Sequence, residues 1–476
     1  MKKIYFFGAL ALLFAACKPS VNITVPPTSG NADFTNYLAI GNSLTAGYSD
    51  GCLTVSGQLN SYPKRLFDQF NQIPPKAFGA VGGGAQMPFI QPLLNGDNGF
   101  DTSVSHRKLV LQFVHNYCTP NDSSLSAVPV YPYIADPKDM IRYNWTYNTY
   151  NNGQINNIGV PGIRVADYPV ANYGNPINPF FNIFAYRFYH TLTERPIDEL
   201  YFRMHNFEPT FFTMWLGSND VLGYALAGGQ GNGVGTAIPV LGNFYNPADI
   251  TPYSVFTAWY DSALVAALST GAKGALINIP DIASLPYFTT IPSNGLVITR
   301  QTQADSLNRY WRSTLNLVFQ LGANQFIIKD NLGNIRQSVP GELILLSTPQ
   351  DSLACAGWGV TKPIPQQYVL TTDELQNIRA NTYNFNQFIY TEALLHHLAY
   401  VDMNAYLQTV ATGVTFNGIT YNANFISGGS FSLDGVHPTQ RGYAIIANKI
   451  ISTINDYYSS TVALIDVNQF HGVLFP

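Results

Sequence analysis

Tyr37-Leu38-Ala39-Ile40-Gly41-Asn42-Ser43-Leu44 is the stretch on which the reading of this 476-residue chain turns. A short apolar run stops at Gly41-Asn42-Ser43, and after Tyr62-Pro63 comes a helical pattern from Lys64 to Gln72 with Leu66, Phe67 and Phe70 on one side. Strand, turn, loop and helix follow one another there. The same grammar recurs downstream. Thr210 to Leu216 is a second apolar run, ending at Gly217-Ser218-Asn219-Asp220, and Ala275 to Ile279 is a third, preceded by the helix-like stretch Ser254 to Leu268. A fourth strand is predicted from Ala399 to Met403 after a helix from Thr372 to His397, whose Thr-Asp-Glu-Leu opening suits an N-terminus. A last helix is predicted from about Thr439 to Tyr458. Continuous apolar strands alternating with helices argue for an α/β domain with a mainly parallel sheet and helices on both faces. In such sheets ligands gather beyond the carboxyl ends of the strands.

Two stretches fit the alternation poorly, at about 75–155 and 285–365. Neither has a linker on both sides, so both are read as insertions into a single domain of residues 34–476. The chain is 46% hydrophobic and 11% charged, which excludes disorder as its main state.

The amino terminus reads differently. Met1-Lys2-Lys3, the apolar run Ile4 to Phe14 and Ala15-Ala16-Cys17 have the order of a secretion signal, with residues 1–16 removed. A cysteine after two alanines resembles the lipobox of bacterial lipoproteins, which implies lipidation of Cys17 and attachment to a cell-envelope membrane. Residues 17–33 then form a tether rich in Pro, Ser, Thr and Asn. No later segment has the roughly 18 uninterrupted apolar residues of a membrane span. Loss of Lys2 and Lys3 changes the formal charge from −4 to −6 (22 basic against 28 acidic residues), and no basic patch for nucleic acid emerges. Cys52, Cys118 and Cys355 remain, allowing one disulfide at most with the pair left open, or equally three buried thiols, and their spacing gives no metal site.

A serine at the end of a buried strand points its hydroxyl into the crevice, but as a nucleophile it needs a base and an acid to orient that base. Asp434-Gly435-Val436-His437 supplies both within one loop. Asn219 offers a side-chain NH₂ for an oxyanion, and Asn157-Ile158-Gly159-Val160-Pro161-Gly162 is a glycine-punctuated loop whose backbone can approach a substrate.

In this order the four blocks resemble the SGNH/GDSL hydrolases (GDSL-like lipases and acylhydrolases). Gly41-Asn42-Ser43-Leu44 has Asn where that family's name has Asp. The resemblance implies a three-layer α/β/α sandwich of flavodoxin-like type with large loop insertions. It also implies Ser43 as nucleophile, Asp434 and His437 as acid and base, and an oxyanion hole from Ser43 N–H, Gly162 N–H and Asn219. The implied reaction is ester hydrolysis through an acyl-enzyme, on acyl or acetyl esters of lipids or glycans, with no cofactor and no metal. A competing expectation is a non-catalytic glycan-binding lipoprotein on the same fold.

Three further features weigh less. Gly228 to Gly233 lacks a P-loop lysine and reads as a flexible loop. His396-His397 are adjacent within a predicted helix and so face different ways. The aromatic and amide-rich run Tyr143 to Asn152 suits either sugar stacking or packed surface. Oligomeric state is not legible.

Overall fold

The computed structural model describes residues 26–476 except 76–81, 101–107, 130–152, 236–244 and scattered positions within 86–100, 116–120, 177–192 and 313–316. Cys17, the leader and the Tyr143–Asn152 run lie outside the described residues. Five strands form the central sheet: β1 (Tyr37–Gly41), β2 (Asn157–Gly159), β3 (Phe211–Trp215), β4 (Lys273–Ile277) and β5 (Ala399–Val401). Every pairing is parallel, in the order β2-β1-β3-β4-β5. The expected α/β class with a parallel sheet is what the chain adopts.

Parallel strands covered on both faces must be apolar throughout, and β1 and β3 are buried at every position. The chain steps from β1 one way to β2, then back across β1 to β3 and onward. Since such crossovers are right-handed, this reversal sends the connecting helices to opposite faces. Phe70, on α2 (Tyr62–Phe70), packs edge-on to Phe211 of β3, while Phe256 of α5 (Tyr253–Leu268) stacks on Phe385 of α6 (Thr372–Leu395) at 3.9 Å. Rings buried this fully contribute about 1.5–3 kcal/mol each.

Helix ends follow their local chemistry. Thr371 and Glu374 form a capping box on α6, and Thr439 caps α7 (Gln440–Tyr458) by accepting from Gly442 N–H at 3.0 Å. Helix α6 stops at Leu395, so His396 caps it and His397, with φ of 55°, lies beyond it. The expectation that both histidines sit inside the helix is therefore corrected: a left-handed residue ends the i→i−4 ladder. The loop Asn157 to Gly162 is corrected too. Its first three residues are edge strand β2, in register with Ala39, Ile40 and Gly41. Gly159 is needed there, because a Cβ would lie 2.4 Å from Ala46 N of α1 (Ser43–Ala46), which crosses close above.

The insertions have structure of their own. The first contributes an antiparallel hairpin, Leu109–His115 with Ser123–Pro129. The second holds a separate apolar cluster around Ile298, Trp311, Phe326 and Ile328. Cys118 and Cys355 are disulfide-bonded, linking the two insertions, and Cys52 is a fully buried residue outside that disulfide. At the other edge of the sheet the domain begins beside the end of α7: Asn31 N–H donates to Tyr458 O at 2.7 Å and Thr461 N–H to Thr28 O at 2.9 Å. No helix among the described residues is long and apolar enough to cross a membrane.

Candidate active site

β1 ends at Gly41, and Asn42 turns the chain into α1 by accepting from Leu44 N–H at 3.1 Å. Ser43 is thereby the first helical residue, above the carboxyl ends of β1 and β3, where the sheet order reverses. Its N–H has no acceptor among the described residues, as befits the first turn of a helix. The Asn42 Nδ2 is buried and unpartnered among them.

Three residues of different chain position form one relay. His437 Nε2 lies 2.9 Å from Ser43 Oγ, and His437 Nδ1 lies 2.9 Å from Asp434 Oδ2. The carboxylate is held from several sides. Val436 and His437 N–H donate to Oδ1 at 2.9 and 2.8 Å, Ser432 Oγ donates to it at 3.1 Å, and Gly51 N–H donates to Oδ2 at 2.9 Å. Burial alone would raise the Asp434 pKa. The facing His437 charge and the N–H donors outweigh it and hold the carboxyl down at about 2. Asp434 is thus ionised across ordinary pH, able to fix the His437 tautomer and to stabilise an imidazolium. The Tyr48 ring, 4.7 Å from the imidazole, flanks it, and Tyr443 Oη donates to Tyr48 O at 2.7 Å.

The opposite bank comes from β2 and β3. Val160 N–H donates to Gly41 O at 3.0 Å, which ties the loop after β2 to the end of β1. Two residues on, Gly162 has φ of 81° and is exposed, and its N–H has no acceptor among the described residues. Asn219 opens α4 (Asn219–Leu226) and donates from Nδ2 to Ile163 O at 2.9 Å, which leaves the second hydrogen of its amide. Asn219 lines one small pocket with Ser43 and His437. Gly162 does not line that pocket; it is joined to it through the Ile163–Asn219 bond.

Several supports were not legible in the sequence. Asp220, fully buried, accepts from Val165 N–H at 2.9 Å, Ala166 N–H at 3.3 Å and Thr251 Oγ1 at 2.6 Å. It pins the loop that carries Gly162. Burial dominates here and raises its pKa to about 6, against the Thr251 and Val165 bonds and the Arg164 charge. Its adjacency to Asn219 was the only signal available. Gly51 and Ser432 left none.

Among the described residues, two groups of acidic and histidine side chains could hold an ion: His190 with Glu194 and Glu199, and Asp261 with Glu392 and His396. In the first, His190 presents different ring nitrogens to the two carboxylates, and Arg203 lies 2.6 Å from Glu199, which supplies the positive charge. That arrangement is an ion-pair network. Neither group touches Ser43. The Gly228–Gly233 segment folds around Asp249, which accepts from Asn232 N–H at 2.7 Å.

No family model matches the sequence, and no curated protein matches it significantly.

Proposed function

We propose that the chain is a serine ester hydrolase of the SGNH/GDSL type, exported and anchored to a bacterial envelope membrane by lipid on Cys17. The observation that carries the reading is the unbroken Asp434–His437–Ser43 relay, both links 2.9 Å, at the carboxyl edge of a parallel sheet. His437 takes the Ser43 proton as Oγ attacks the ester carbonyl. Ser43 N–H, Gly162 N–H and Asn219 Nδ2 hold the oxyanion. His437 returns the proton to the departing alcohol, and the acyl group stays on Ser43. Water, deprotonated by His437, then releases the acid and restores the serine.

The substrate is an acyl or acetyl ester of a lipid or glycan, and the reaction needs no cofactor or metal. A small fluorophosphonate and 4-nitrophenyl acetate test the reading together. Wild type is expected to be labelled and to hydrolyse the ester, and Ser43→Ala to lose both while keeping its fold. Unchanged hydrolysis by Ser43→Ala overturns the assignment of the nucleophile. A folded wild-type protein that neither labels nor hydrolyses overturns the enzyme reading and favours a glycan-binding lipoprotein.

A further inference from the structure

We infer that the ester this site accepts carries a short acyl group, of acetyl size, on a larger alcohol; the inference rests on the hydrolase reading above. Beside Ser43, Asn219 and His437 the chain forms a cavity of about 30 Å³, walled by Trp215, Leu222, Leu285, Leu407 and Phe431. One water needs roughly 10–15 Å³ of such space, so the cavity takes about two or three heavy atoms. Its walls cannot retreat cheaply. All five belong to the main hydrophobic core and are at most 8% exposed, and close-packed interiors resist the shifts a longer chain demands.

The chemistry says which half of the ester belongs there. The bond that forms joins Ser43 Oγ to the acyl carbon, and the bond that breaks frees the alcohol oxygen, which leaves with the His437 proton. The acyl half therefore stays in place through two steps and benefits from a small, apolar, preformed pocket. The alcohol half has to depart between them and needs an open path. An open cleft of about 960 Å³, which reaches Asp434 but is not itself lined by Ser43 or His437, lies between the first-insertion hairpin and the second insertion, lined by Leu125, Ile291, Phe326, Leu353, Phe425 and Ile426. Ile426 has φ of 65°, an unfavourable conformation for a β-branched residue, and it faces this cleft. The two spaces differ in volume by more than an order of magnitude, and the smaller one touches the nucleophile.

The test is kcat/KM of the full chain on 4-nitrophenyl acetate, butyrate and octanoate, with labelling by a small fluorophosphonate as an independent reading of Ser43. Since one methylene too many in a filled apolar pocket costs about 10-fold or more, acetate is expected to exceed butyrate by roughly 10²-fold and octanoate by more. Leu407→Ala is expected to narrow the acetate-to-butyrate ratio by at least about 10-fold, and Leu222→Val, a smaller cut, to narrow it in the same direction if Leu407→Ala does not fold. Octanoate hydrolysed as well as acetate, with Ser43 still labelled, overturns the acyl-pocket inference and leaves the hydrolase reading intact. Methyl octanoate preferred over ethyl acetate overturns the assignment of halves. Absence of both labelling and hydrolysis overturns the hydrolase reading itself.

Discussion

Each bank of the site is built on an aspartate that gathers several donors, yet the two carboxyls are driven in opposite directions. Asp434 accepts from three backbone N–H groups and Ser432, faces an imidazole, and is held at about 2. Asp220 accepts from two N–H groups and Thr251, and although the Arg164 charge also favours its carboxylate, burial outweighs all of these and pushes it up to about 6. Donors alone do not decide the outcome. What separates them is the imidazole in direct contact with Asp434; under the proposed reaction that ring becomes a cation, so Asp434 would serve chemistry and Asp220 geometry.

The largest expected effect comes from removing the charge that distinguishes the first bank. Asp434→Asn keeps the volume but leaves His437 in the wrong tautomer, and kcat on 4-nitrophenyl acetate is expected to fall roughly 10⁴-fold; a loss under tenfold would make the two aspartates equivalent. On the other bank, Asn219→Ala removes one oxyanion donor, with an expected loss of about 10²–10³-fold in kcat and little change in fold. Asp220 is expected to register in stability instead. Its folded pKa lies above the unfolded value near 3.8, so its contribution is fully present below pH 4 and lost as pH rises through 6. Asp434 has the reverse sign: its contribution is present above pH 4 and lost as pH falls toward 2. Melting curves of wild type and Asp220→Asn between pH 4 and 7 are expected to converge by on the order of 2–3 kcal/mol as the wild type loses stability. A constant gap between them would place the Asp220 titration elsewhere.

The comparison also marks what sequence can carry. Asp434 and His437 are three residues apart, so their pairing is local, and Ser43 announces itself by ending an apolar run. Strands β1 and β3 and helices α5 to α7 were readable because apolar runs and 3.6-residue periodicity are written into single segments. Strand β2 was not, since Asn157-Ile158-Gly159 has little strand preference and takes its register from β1. Helix α3 (Pro196–Phe207) has the signals of a helix start, proline in its first turn and Asp198 and Glu199 behind it, which the pattern of apolar runs does not register. The Cys118–Cys355 bond depends on two insertions meeting in space, 237 residues apart in sequence. Likewise, the Gly51 N–H on Asp434 crosses 383 residues, a distance no local pattern encodes.

The junction of Thr28 and Asn31 with Tyr458 and Thr461 gives the domain a direction. Lys273, which opens β4, also reaches Asn31 O, so the chain enters at the edge where strands begin, and Ser43 stands at the edge where they end. Under the proposed anchoring, eleven residue steps separate Cys17 from Thr28, a leash of at most about 38 Å. A domain of this size has a radius of gyration near 22 Å, so such a leash is too short to wrap around it and turn the nucleophile back toward its own bilayer. The catalytic edge would look outward, toward esters that arrive from the solvent side.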